Sequence, residues 1–204
     1  MQKEKTNMKQ KHILSIAFDI PGEKAEYVSI TSKQSLADGD IVVVEPGMSS
    51  FHDYMGSESY QGRTLLSENG SFRLKEAIQH WQREISASVA AGKTVFVFLT
   101  EREQVFVDSG QRTYSGTGRN RQTTKMVDHA DSYQLLSLPV SLVNSSGTSI
   151  KLAPKANIIA PYWSTFEDMT NYRVHIEGKV TQPLLLSRDG KRTLGAIIRY
   201  RDSS

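Results

Sequence analysis

Arg112, Gly116, Gly118, Arg119, Arg121 and Lys125 fall in one stretch, from Ser109 to Met126, that contains no Asp or Glu. Glycines let successive backbone N–H groups converge on an anion, and arginines donate paired hydrogen bonds to phosphate. This spacing suits capture of a phosphate, a nucleic acid or an acidic protein surface. Tyr114 is the one aromatic in the stretch, which is thin provision for stacking single-stranded bases. The plainer reading is a long, solvated loop, rich in Gly, Ser, Thr and Arg.

A second set of residues follows two apolar runs. Glu45, Ser49, Ser50 and His52 come after Ile41–Val44, and Thr100 and Glu101 come after Thr94–Leu99. In open parallel sheets, ligands gather beyond the carboxyl ends of the strands. If both runs are strands of one sheet, this set forms the rim of a cleft. Its carboxylates and imidazole would suit a hydrolase.

Other chemistry is harder to find. The five histidines form no H-x-x-x-H or H-E-x-x-H pair, and His52–Asp53 and Asp128–His129 are sequence neighbours that need not face each other. No metal site and no cofactor is assigned. Cys is absent, which removes disulfides, Cys–zinc sites and any thiolate nucleophile. No G-x-S-x-G elbow occurs. Gly92-Lys93-Thr94 ends like a phosphate-binding loop, but the position five before Gly92 is Ala87. The order is also reversed, because such a loop runs from a strand into a helix N-terminus. Gly92 reads as a helix stop and Lys93 as a cation favourable to the helix C-terminus.

The elements that must position these residues follow from periodicity. Leu74, Ala77, Ile78, Trp81, Ile85 and Val89 recur at helical spacing, with Asn69 or Ser71 as the cap. Residues 12–18, 41–44 and 94–99 are apolar runs bounded by turn residues, which predicts inner strands. Strand, long helix, strand makes a βαβ unit. Residues 26–31 alternate as a short edge strand would, and 104–107 read as a brief strand before the loop at about 109–125. Asn144–Gly147 reads as a turn, 157–160 as a core strand broken by Pro161, and 162–169 as a short helix with Trp163 and Phe166 inward. Residues 172–177 alternate, and Asp189-Gly190 between two apolar runs predicts a C-terminal β-hairpin.

The chain has 204 residues, 25 Lys+Arg against 22 Asp+Glu and 38% hydrophobic residues. That is ordinary for one globular domain and too apolar for a disordered chain. Residues 1–11, with Lys3, Lys5, Lys9 and Lys11 against Glu4, read as a flexible basic tail, and 12–204 as a single α/β domain. With no apolar run long enough to span a bilayer and no signal-like h-region, the expected setting is cytoplasmic, away from membranes. An apolar run so close to Ser204 leaves two readings open, a whole protein and a piece of a longer one.

Residues 35–44, the helix around Trp81 and residues 91–99 together resemble the core of class I glutamine-amidotransferase-like domains, including the ThuA-like branch. The hairpin at 183–200 is also similar. The resemblance covers about residues 12–100 and 157–200. It implies a flavodoxin-like three-layer sandwich with a mostly parallel central sheet. Catalytic members carry a Cys nucleophile on a strand–helix elbow, with a His and a Glu. This chain has no Cys, and Thr100-Glu101 stands where an elbow is expected, so an active glutaminase is not implied. The expectation is a non-catalytic recognition or scaffolding module in a larger bacterial-type protein or complex. It would bind a protein, nucleotide or nucleic-acid partner through the strand ends and the 109–125 stretch. The alternatives are a hydrolase at the strand-end rim and direct nucleic-acid binding through the arginines.

Overall fold

The computed structural model describes residues 11–20, 25–47, 54, 58–166 and 171–199, so the tail up to residue 10 lies outside the described residues. In chain order the elements begin β1 (Ile13–Ile16), β2 (Ala25–Val28), β3 (Ile41–Val44), β4 (Glu58–Tyr60), β5 (Arg63–Leu65), α1 (Glu68–Ala90) and β6 (Thr94–Val97). They continue with β7 (Gln104–Ser115), β8 (Gln122–Asp131), β9 (Ser141–Thr148) and β10 (Ile150–Leu152). The last are α2 (Trp163–Phe166), β11 (Asn171–Glu177), β12 (Gln182–Ser187) and β13 (Thr193–Ile197).

Helix α1 owes its placement to one apolar stripe. Leu74, Ala77, Trp81 and Ile85 lie on one face and are all buried. The cap is neither Asn69 nor Ser71 but Ser67, whose Oγ accepts the Gly70 N–H at 3.1 Å. Ser71 has a different use: its hydroxyl donates to the Leu66 carbonyl at 3.3 Å and accepts the Asp108 N–H at 2.8 Å, fastening β7 to the helix. Gly92 ends the helix with φ 77°, where a side chain would be strained. Lys93 turns away from the helix end, and its Nζ donates to the Leu36 and Ala37 carbonyls instead.

Under α1 lies a four-stranded sheet in the order β2-β1-β3-β6, every pair parallel. The βαβ unit β3–α1–β6 is therefore present, with the β4–β5 hairpin inserted between β3 and α1. Leu14, Ile16, Val28, Val42 and Val44 join Leu74 and Trp81 in one core cluster. The Trp81 indole N–H donates to the Ile30 carbonyl at 2.8 Å, so its one polar atom is satisfied inside that core.

The chain is mixed α/β, but parallel pairing dominates only this sheet. After β6 the strands are joined mainly by short turns, which suit antiparallel ladders. Strands β7 and β8 join the earlier β4–β5 hairpin in a sheet β4-β5-β7-β8, with β5 and β7 parallel, and β9 to β13 form a five-stranded antiparallel sheet β10-β12-β13-β11-β9. The expected C-terminal hairpin is β12–β13, turning through Asp189-Gly190 with Gly190 at φ 77°.

Three further local expectations give way. The stretch 109–125 is not a loop but the outer part of a β7–β8 hairpin. Asn144–Gly147 runs straight through β9, where the missing Cβ of Gly147 makes room for Tyr172: a Cβ there would come 2.3 Å from the Tyr172 hydroxyl. Residues 157–160 are turns rather than a core strand, closed by Ile159 N–H and Ala160 N–H bonds to the Ala156 carbonyl, and Ile158 faces solvent. Of the short helix predicted over 162–169, Trp163–Phe166 form α2 with Trp163 half-buried, Tyr162 belongs to the preceding 3₁₀ turn, and 167–169 and the Phe166 side chain lie outside the described residues.

Candidate functional site

The base of the β7–β8 hairpin is buried through Val105 and Ala130, and its outer part leaves the body. Where it leaves, the register slips between Asp108 and Arg112. Gly110 takes φ 79° there, and its N–H donates to Asp108 Oδ1 at 2.9 Å. A bulge of this kind bends a ribbon and sharpens its twist, which aims the outer strands away from the sheet. Beyond it, both strands are exposed except for Arg112. At about 3.3 Å per residue, the five steps of β8 from Val127, opposite Asp108, to Gln122 carry the last ladder pair about 17 Å from Asp108.

The tip closes on a short 3₁₀ turn, Gly118–Asn120. Gly116 sits at φ 81°, and a Cβ on it would meet the Asn120 carbonyl oxygen at 2.3 Å, so the turn demands glycine. Arg121 lies over the Tyr114 ring, 4.2 Å from its centroid. Arg119 is exposed and forms no ion pair among the described residues. Lys125 faces Arg112 across the ladder.

Arg112 is a different matter. Its Nη1 and Nη2 bind Asp108 Oδ1 and Oδ2 at 2.7 and 3.1 Å, and Nη2 also reaches Glu68 Oε2 at 3.1 Å. This guanidinium, more than any other cause, holds the Asp108 carboxyl below the ordinary carboxylate range. Arg112 thus secures the arm to the start of α1. The structure brings Gly116, Gly118, Arg119 and Arg121 together at the tip and leaves Arg112 at the root.

At the strand ends, Glu45 follows β3 and Thr100 follows β6, with the Thr100 hydroxyl donating to the Pro46 carbonyl at 3.4 Å. Ser49, Ser50 and His52 lie outside the described residues. The Tyr133 hydroxyl donates to the Thr100 carbonyl at 2.6 Å and accepts the Thr100 N–H at 2.9 Å, locking this end of β6. Burial is the main reason its phenol is pushed above the usual tyrosine range. Glu101 is exposed.

Two arrangements have no signal in the sequence, because residues far apart in the chain build them. A cleft of about 430 Å³ is lined by Arg63, Arg102, Gln104, Val143 and Asn144. Arg102 Nε donates to buried Asp131, and the Asn144 amide pairs with both backbone groups of Arg102, at 2.8 Å each. On β9 and β11, His175 bridges two side chains, with Nδ1 2.9 Å from Ser145 Oγ and Nε2 3.2 Å from Glu177 Oε1. With the proton on Nε2, the ring donates to the carboxylate and presents an acceptor to the hydroxyl.

Among the described residues no group of three or more His, Cys, Asp or Glu side chains is placed to hold a metal ion, and no helix is long and apolar enough to cross a membrane. No family model matches the chain, and no curated protein or solved structure matches it either.

Proposed function

We propose that this protein is a recognition module whose β7–β8 arm grips a polyanion, with duplex DNA as the partner its shape fits best. One observation carries the reading: residues 109–126 form an exposed two-stranded ribbon with no acidic residue and with Arg119 and Arg121 at its tip. A two-stranded β-ribbon fits the major groove of B-DNA, whereas the deep, narrow major groove of A-form RNA excludes side chains. Arginines and the glycine-rich turn supply phosphate contacts, which set affinity without reading sequence. Tyr114 already lies under Arg121, which weighs against base stacking and hence against a single-strand preference. A flavodoxin-like sandwich, kinship with glutamine-amidotransferase-like domains and a cytoplasmic setting belong to the same proposal, with α1 as one helical layer. An electrophoretic titration of duplex DNA, single-stranded DNA, duplex RNA and an acidic peptide, each at two salt concentrations, tests it. Duplex DNA should bind most tightly and weaken as salt rises; tightest binding to the acidic peptide would assign the arm to a protein partner instead.

A hydrolytic reading rests on a different observation, the Ser145–His175–Glu177 chain, which has the nucleophile–base–carboxylate connectivity used for acyl transfer. Labelling of the wild type by a fluorophosphonate, abolished in Ser145→Ala, would support it. Absence of labelling in the wild type would remove it.

A further inference from the structure

Strand β6 ends the parallel sheet, and its outer edge pairs with no strand among the described residues. All four of its residues are at least partly exposed, whereas Val42, Val43 and Val44 on neighbouring β3 are buried. The Phe98 N–H donates to the Val44 carbonyl at 2.9 Å. Backbone groups alternate in direction along a strand, so the N–H and C=O groups of Val95 and Val97 point to the open edge. Phe96 and Phe98 project from the face away from α1, 53% and 51% exposed, and the Phe18 ring touches Phe98 with centroids 5.4 Å apart.

Proteins normally blunt such an edge with a charge, a proline or a bulge. Thr94–Leu99 has no charged residue and no proline, and its register with β3 is unbroken. Lys93, the residue immediately before the strand, is tied to the Leu36 and Ala37 carbonyls.

We infer that β6 pairs with β6 of a second copy, antiparallel about a two-fold axis passing beside Phe96. In that register Val95 of one copy faces Val97 of the other, and each such pair exchanges both of its N–H···O bonds. Phe96 faces its own image in the close, non-hydrogen-bonded position, and Phe98 faces Thr94. The axis is perpendicular to the sheet, so both α1 helices lie on one side and the four phenylalanines form one band on the other. The two four-stranded sheets become a continuous eight-stranded one. Self-pairing is favoured because a two-fold contact sets each residue near its own image. This strand carries no charge to repel itself, and its aromatic row continues across the axis.

Sedimentation velocity on the full chain, over a wide concentration range, reads the state. The wild type should sediment as a dimer, twice 22.8 kDa. Because Phe96 meets its own image, Phe96→Glu and Phe96→Lys should each be monomeric, and an equimolar mixture of the two should recover the dimer. Both changes fall on an exposed side chain, and an unchanged far-ultraviolet circular dichroism spectrum would show that the fold survives. Val97→Pro removes an outward N–H without touching the β3 ladder and should also give a monomer. A monomeric wild type overturns the inference, as does a dimer that persists in both charged variants. Monomeric single variants whose mixture stays monomeric would likewise overturn the two-fold register.

Discussion

Arg112 grips Asp108 through both terminal nitrogens, at 2.7 and 3.1 Å, although it lies in the stretch whose arginines look free in the sequence. The pair spans the bulge where the arm leaves the body, and Glu68 joins it from the first turn of α1. The Asp108 carboxyl is held below its ordinary value of 3.8, first by Arg112 and then by the Gly110 N–H, against the opposing effect of burial. Its contribution to stability is therefore complete above the unfolded-state value and lost as pH falls through the lower folded-state one. Arg112→Ala should lower the melting temperature at neutral pH and flatten its acid-side decline. Melting curves over a pH series check this; an unchanged acid limb would show that the pair has no such role.

His12 reports on the seam between β1 and β2. Its Nδ1 lies 3.1 Å from the Asp38 carbonyl and its Nε2 3.0 Å from Glu26 Oε2. The Asp38 carbonyl, followed by Glu26, raises the imidazole above its ordinary 6.5. A raised value stabilises the fold fully below 6.5, and that stability is lost as pH climbs through the folded-state value. An NMR titration should place His12 above 6.5, and Glu26→Gln should bring it down. A His12 value unmoved by Glu26→Gln would contradict the contact.

Trp81 sets the spacing between α1 and the parallel sheet. It is fully buried, and its indole N–H is bound to Ile30. Trp81→Ala should cost about 3–5 kcal/mol of unfolding free energy in urea, as large-to-small core changes do. Trp81→Phe keeps most of the packing and loses the hydrogen bond, for about 1–3 kcal/mol. Equal losses in the two variants would mean that the ring's volume matters little here.

Tyr133 serves the strand end in the same way. Its hydroxyl satisfies both backbone groups of Thr100, so Tyr133→Phe should cost about 1–3 kcal/mol by leaving them without that partner. Hydrogen exchange at the Thr100 amide should quicken more than exchange at Val44. Equal protection in wild type and variant would argue that other groups hold this end of β6.

The sequence shows the β3–α1–β6 unit and the β12–β13 hairpin clearly because burial imposes periodicity on both. Trp81 and Ile85 fall on the stripe that packs, and Asp189-Gly190 marks its own turn. The arm leaves no such trace. From Ser109 to Met126 the ribbon is held by cross-strand backbone bonds rather than by one buried face, so nothing selects alternating apolar residues. Ile158 and Ile159 mislead in the opposite sense, as β-branched residues in a turned segment fixed by backbone bonds to Ala156. The candidate cations were legible by type, but their division was not. Arg112 is committed to Asp108 only because the bulge folds the chain back on itself, a relation that spacing alone does not encode. Nor does spacing show Ser145 meeting His175, a contact made by the β9–β11 pairing.

The dependence of duplex-DNA affinity on salt, compared between wild type and the Arg119→Ala/Arg121→Ala double variant, tests the role of the arm most directly. Each lost phosphate contact should reduce the slope of log K against log salt by about 0.9, so the double variant should lose about 2 units of slope. Its melting temperature should stay unchanged, since neither residue touches the core. Identical slopes and affinities in the two proteins would contradict the account.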